Sequence, residues 1–254
     1  MILGQERYSY FRQFNLKEIL RMKRLTLFCL MIILSTSSFA EIVEVYRWKA
    51  YPGKYSQMLS DMQLAAQIHS DMGISVQINQ LGIGSTQNID YVMRFDDMDH
   101  WGQMKDMNAV SEEWSTFYSR VAANPGGELV ESINGINTDT SVMADDFENG
   151  KVFSVFVWEP APGRSQELAQ GFEAAANIHE SLGARVESYS EGFGGTNKMH
   201  YVMIYDSWSD MAAVQTRMST SEEWQAFQNA TATATEPTAT LVQTFTGQTV
   251  ANFD

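Results

Sequence analysis

Two histidines carry the sharpest chemical signal in this sequence. His69 and His179 each stand near the end of a helical stripe, and each follows an alanine pair, Ala65-Ala66 or Ala175-Ala176, by about one turn. A neutral imidazole in such a place can take a proton, hydrogen-bond a ligand, or hold a carbonyl at the negative end of its own helix. Three aromatic pairs recur with the histidines: Trp48 and Trp158, Tyr91 and Tyr201, Trp114 and Trp224. Rings of this size fill cores for hydrophobic reasons alone. With one or two polar groups among them, the same rings would line a pocket for a small apolar or aromatic ligand. These eight residues form the candidate ligand-binding set.

Other constellations carry less. Met98, His100, Met104 and Met107 are the soft donor types that hold copper, but the later counterparts of His100 and Met104 are Asp210 and Val214, so no metal site is assigned. Gly82-x-Gly84 and Gly192-x-Gly194 lie between two strand-like runs with no helix start behind them. They read as hairpin turns and not as a dinucleotide cradle. No Ser-His-Asp order, P-loop or clustered zinc-ligand spacing follows residue 40, and the carboxylates are too scattered to nominate a catalytic pair. Neither a catalytic residue nor a fixed cofactor is assigned.

The pairing of these residues has one cause: the chain is written twice. Val45 to Phe117 recurs as Val155 to Phe227 at a constant offset, so that Pro52-Gly53 returns as Pro162-Gly163 and Ser111-Glu112-Glu113-Trp114 as Ser221-Glu222-Glu223-Trp224. Repetition this regular requires each copy to fold alike. Within a copy, Ile42 to Trp48 is rich in β-branched and aromatic residues and reads as a strand. The stripe Leu168, Phe172, Ala175, His179, Leu182 has helical spacing, and Gly73 and Gly183 suit the left-handed residue that ends such a helix. Ile74 to Ile78 and Tyr91 to Phe95 read as two strands around a hairpin loop. Asp96 or Asp97 caps a second helix, Ser111 starts another, and Leu129 to Ile136 is a fourth strand. The order is β-α-β-β-α-β, a ferredoxin-like module, expected over residues 41–138 and 152–254 with an acidic linker at 139–151. Val152 to Trp158 and Tyr201 to Tyr205 are apolar at nearly every position. Both faces of the sheets must therefore be covered, one by helices and the other, on this reading, by the sheet of the other copy.

Residues 1–40 read as a signal peptide. Met22-Lys23-Arg24 is a basic start and also an alternative point of initiation. Leu25 to Leu34 is a short apolar run, and Ser38-Phe39-Ala40 is a small-residue cleavage site before Glu41. Ten apolar residues are about half of what a spanning helix needs. The mature chain is accordingly expected in the periplasm or outside the cell, with no stable membrane insertion. Of 17 Lys/Arg and 31 Asp/Glu, the first 40 residues hold six and two, leaving 11 against 29 and a net charge near −18. So acidic a surface argues against nucleic acid, whose binding rests on cations that displace counterions. The single cysteine, Cys29, lies within the apolar run, so the mature chain has neither disulfide nor thiol chemistry.

A module of this order, with Pro-Gly before the first helix and Ser-Glu-Glu-Trp-x-x-Phe after the third strand, resembles the dimeric α+β barrel proteins, in particular the antibiotic-biosynthesis-monooxygenase-like and NIPSNAP-like domains. The resemblance implies two modules that pair as a barrel, here as a pseudo-dimer within one monomeric chain. It also implies a pocket between helices and sheet. Haem-degrading relatives use an Asn, a Trp and a His together, whereas Tyr46-Arg47-Trp48 stands on the first strand here and supplies no Asn. The expected function is the binding of a small apolar molecule. The alternatives are a cofactor-independent monooxygenase-like enzyme with His69 or His179 as base and an acidic protein-interaction module.

Overall fold

Among the described residues, eight antiparallel strands close into one barrel with six helices on its outside. The computed structural model describes residues 40–139 and 151–253; the segment expected to be a signal peptide and most of the expected linker lie outside them. In chain order the elements are β1 (Ile42–Ala50), α1 (Tyr55–Asp71), β2 (Ser75–Leu81), β3 (Ile89–Phe95), α2 (Met98–Val110), α3 (Glu112–Ala123) and β4 (Gly127–Asn137). The same order follows as β5 (Val152–Pro160), α4 (Ser165–Ser181), β6 (Arg185–Glu191), β7 (Met199–Tyr205), α5 (Trp208–Thr220), α6 (Glu222–Ala232) and β8 (Ala239–Phe253).

Local chemistry sets the boundaries. Asp97 accepts a hydrogen bond from the His100 amide to start α2, and Ser111 and Ser221 accept from the Trp114 and Trp224 amides to start α3 and α6. Gly73 and Gly183 adopt φ of 92° and 95° beyond α1 and α4, the left-handed conformation that releases the chain into the next strand. The Thr231 to Thr240 segment divides between the end of α6, a short turn and the start of β8.

Around the barrel the strands run β1-β3-β2-β8-β5-β7-β6-β4 and back to β1. The first-half strands stand in the order β4-β1-β3-β2 and the second-half strands in the order β8-β5-β7-β6. Their outer strands meet as β2–β8 and β6–β4. The expected facing of the two sheets takes the form of one closed barrel, in which Val43 and Val92 of the first half cluster with Tyr189 of the second. Twisted four-stranded sheets have edges with unpaired amides and carbonyls, and joining edge to edge satisfies both. The second covered face of each strand is therefore the barrel lumen.

Alternation then sorts every strand. On β1, Val43, Val45 and Arg47 line the lumen, while Tyr46 and Trp48 pack outward against a core that includes Met58, Met62, Ala65, Ala66 and Phe95. An equivalent outer core joins Leu168, Phe172, Ala175, Met203 and Val214. Smaller luminal clusters gather around Val155 and Phe245 and around Val43 and Val92.

Candidate functional site

The histidines stand in the two helix–sheet layers, outside the barrel. Each belongs to the last turn of the helix that follows the first strand of its half, and each is 3% exposed. His69 Nδ1 is 2.8 Å from Tyr91 Oη, and His179 Nδ1 is 2.7 Å from Tyr201 Oη. The Trp114 ring lies 4.5 Å from that of His69, and the Trp224 ring 4.3 Å from that of His179. Trp48 and Trp158 pack against the same two cores as partly buried rings. The eight sequence-selected residues thus gather as two clusters, and none of them lines the lumen. Ala65, Ala66 and Ala175 are buried in these cores.

In both histidines Nε2 is buried without a hydrogen-bond partner among the described residues. Burial pushes the His69 imidazolium pKa down to about 4, helped by the Lys105 charge and opposed by Asn108 and Glu44. Burial alone takes His179 to about 4. Both rings are neutral at neutral pH. Burial also raises the Tyr91 and Tyr201 hydroxyls.

The halves differ in what surrounds these dyads. In the first, the Glu44 carboxylate accepts from Trp101 Nε1 at 2.7 Å, Lys105 Nζ at 2.7 Å and the Tyr46 hydroxyl at 2.9 Å. Lys105 is raised: burial would lower it, but its bonds to Glu44 and Tyr46 outweigh that. Residue for residue, the second half has Ser154 for Glu44, Phe156 for Tyr46, Met211 for Trp101, Gln215 for Lys105 and Met218 for Asn108. At those positions Ser154 and Gln215 make contacts of 3.5 Å with the Tyr205 hydroxyl. The β6–β7 hairpin also reaches across to the first half. Its tip is pinned by a bond from the Asn134 amide to the Phe193 carbonyl, and the Phe193 ring stacks on Trp101 at 6.3 Å. Selecting residues by their repetition passed over this set, because its members break the repeat. The mismatches at the 110-residue offset were the signal that could have found them.

The lumen was missed altogether. It holds a cavity of about 130 Å³, well below the roughly 300–1,000 Å³ of a pocket for a drug-sized ligand; neither haem nor a polycyclic substrate fits it. Its ionised groups are matched internally. Arg47 makes a two-pronged pair with Asp90 at 2.8 and 2.9 Å. Arg94 bonds Glu41 at 2.5 Å and Tyr189 at 3.2 Å, while Asn137 and Tyr189 bridge to Glu187. Burial would raise Glu191, but bonds from His200 and from the Thr196 and Lys198 amides outweigh it and hold the carboxyl at about 2.

Among the described residues no group of three His, Cys, Asp or Glu is placed to hold a metal. The soft-donor set does not converge: Met104 is buried in the core, whereas Met98 and Met107 are exposed. No helix of the described residues is long and apolar enough to cross a membrane.

No protein-family model and no curated protein matches the sequence. Solved structures do match the fold. A provisionally assigned monooxygenase from Fusobacterium nucleatum subsp. nucleatum superposes with a TM-score of 0.59 at 10% identity, covering 85% of this chain and 95% of its own. An anthrone oxidase-like protein gives 0.54 at 11% identity, covering 84% and 92%. A provisionally assigned monooxygenase from Lactobacillus acidophilus gives 0.53 at 8% identity, covering 85% and 95%. At these identities the likeness establishes a ferredoxin-like α+β barrel fold.

Proposed function

We propose that this protein is an exported α+β barrel that binds a small, flat, mostly apolar molecule in the helix–sheet layer of its first half. On this reading residues 41–138 and 152–254 are two ferredoxin-like copies that stand in for the subunits of a dimer, joined by 139–151. The repeated element order and the β2–β8 and β4–β6 edge pairings support that reading.

The observation that carries the proposal is the polar seam Glu44–Lys105–Tyr46–Trp101 beside the buried His69–Tyr91 pair. Taking an ion pair partly out of water costs several kcal/mol per ion before the charges repay it. The other half folds the same way with uncharged Ser154 and Gln215 in those places. The charges are thus retained for recognition, with Trp101 and Phe193 as the apolar faces. Where ionisation shifts in this layer, it moves away from neutrality: the histidines down, the tyrosines and Lys105 up. A general base works best with a pKa near the operating pH, so binding is favoured over proton transfer.

The second reading is a cofactor-independent monooxygenase-like enzyme with His69 as base, favoured by the monooxygenase and anthrone oxidase-like neighbours. Oxygen uptake with the bound molecule would select it. The test of the first reading is mass spectrometry of what co-purifies with the mature chain, followed by titration of that molecule against Trp fluorescence. Glu44→Gln, Lys105→Met and His69→Ala should each weaken binding, whereas Ser154→Ala, Gln215→Met and His179→Ala should not. Binding untouched by the first three variants overturns the assignment. Export is tested by intact mass, which should place the first residue at Glu41.

A further inference from the structure

We infer that the barrel lumen is a second binding site, for a small neutral molecule with an apolar body and one hydrogen-bond-accepting oxygen. Size comes first. The cavity of about 130 Å³ is comparable to the roughly 150 Å³ engineered cavity that admits benzene, so its occupant has about six to eight non-hydrogen atoms. The middle of the wall is apolar, built from Val45, Val92, Val155, Val202, Phe153 and Phe245.

Charge decides the next point. Arg47 is taken by Asp90, Arg94 by Glu41, Glu191 by His200, and Lys151 by Asp206. An entering ion would shed its hydration without gaining a counter-charge, which costs far more than an apolar wall returns. The molecule is therefore neutral.

One polar group is left for it. Thr249 Oγ1 donates to Asn79 Oδ1 at 2.9 Å, and Asn79 Nδ2 donates to Gln77 Oε1 at 3.2 Å. The chain ends there. Gln77 is 5% exposed and lines the cavity, and its Nε2 donors take no part in that chain. A carbonyl or hydroxyl oxygen entering the lumen would accept from that amide, a bond worth more inside an apolar wall than in water. The counterpart of Gln77 in the other half is Glu187, already held by Tyr189 and Arg185, so the lumen offers one such head group and takes one molecule in one orientation.

Cyclohexanone is the probe, with cyclohexylammonium and cyclohexane as partners of nearly equal size. On the full mature chain, methyl NMR should show cyclohexanone shifting Val45, Val92, Val155 and Val202 while Met62 and Ala65 of the helix–sheet core stay still. That contrast separates this site from the one proposed above. Cyclohexylammonium should shift none of them. Gln77→Leu should weaken cyclohexanone about tenfold, the worth of one buried hydrogen bond, and leave cyclohexane unchanged. Val202→Phe should fill the cavity and abolish both; if it does not fold, Val155→Leu, which adds one methylene, should weaken both. Absence of luminal shifts at millimolar cyclohexanone, equal shifts with cyclohexylammonium, or full cyclohexanone affinity in Gln77→Leu overturns the inference.

Discussion

Acid should destabilise this barrel through its two helix–sheet histidines. An unfolded histidine titrates at the ordinary value of 6.5, whereas folded His69 and His179 resist protonation down to about 4. Their contribution to stability is complete above 6.5 and is withdrawn as pH falls through 4, because over that interval the unfolded chain binds protons that the folded chain refuses. Each histidine withdraws about 1.4 kcal/mol per pH unit, hence roughly 3 kcal/mol by about pH 4.5. Together they remove about 5 kcal/mol from a fold whose whole stability is of order 5–15 kcal/mol. Glu41 works in the opposite sense, since burial raises its carboxyl above the ordinary 4.5 despite Arg94 and Asn137. Its contribution is present at low pH and lost as pH rises through the raised value. Urea unfolding at about pH 7 and about pH 4.5 tests this in the wild type, His69→Gln, His179→Gln and the double variant. Each single variant should begin less stable and then lose about 3 kcal/mol less on acidification. Lys105→Met should narrow the window for His69 only, because no cation contributes to the His179 shift. If the double variant declines as steeply as the wild type, the rings are not buried as neutral groups and the reasoning fails.

Arg94→Met should cost about 3–5 kcal/mol by stranding Glu41 beside Glu187, a fall of about 10–15 °C in Tm for a domain of this size. Adding Glu41→Gln should recover part of that in calorimetry, whereas Asp61→Ala, which breaks a 3.6 Å surface contact to Arg120, should change Tm by less than about 2 °C. Gly84→Ala should cost more than Gly53→Ala. Both glycines have positive φ, at 85° and 75°, but an added methyl at Gly84 would fall on the Thr244 carbonyl oxygen, and Gly53 has open space. Hydrogen exchange at the Thr246 amide, which bonds the Ile83 carbonyl, should accelerate in Gly84→Ala alone. Ser111→Ala and Ser221→Ala should each cost about 1 kcal/mol in urea unfolding, additively because the two caps share no partner.

Much of the local structure was legible. The Pro-Gly breaks, the helical stripes, the caps at Asp97, Ser111 and Ser221, and the hairpin glycines depend on a few neighbouring residues, so their chemistry is readable along the chain. Strand positions were legible for the same reason. The candidate site was legible only in part. His69 with Tyr91 and Trp114, and His179 with Tyr201 and Trp224, were grouped by recurrence, and the fold brings each trio together. Glu44, Trp101 and Lys105 lie 57 and 61 residues apart and meet because β1 and α2 share one layer. Phe193 arrives from a hairpin of the other half. Nothing in local spacing announces either meeting.

The sequence by itself determined that there are two like units, which residues make their helices and strands, and that strands such as Val152 to Trp158 and Tyr201 to Tyr205 must be covered on both faces. Apolar runs, glycine conformations and capping side chains act over a few residues, and that range is written in the order of the chain. What covers the second face was decided only in three dimensions. Edge strands β2 and β4 pair with β8 and β6 across sequence separations that no periodicity encodes, and this closure makes the facing sheets the walls of one lumen. Closure also determines that Arg47, Arg94 and Gln77 face a cavity while Glu44 and Tyr46, one position away from Arg47 or Val45, face the helices. Alternation assigns residues to opposite faces of a strand, but only the closed barrel decides which face is inside.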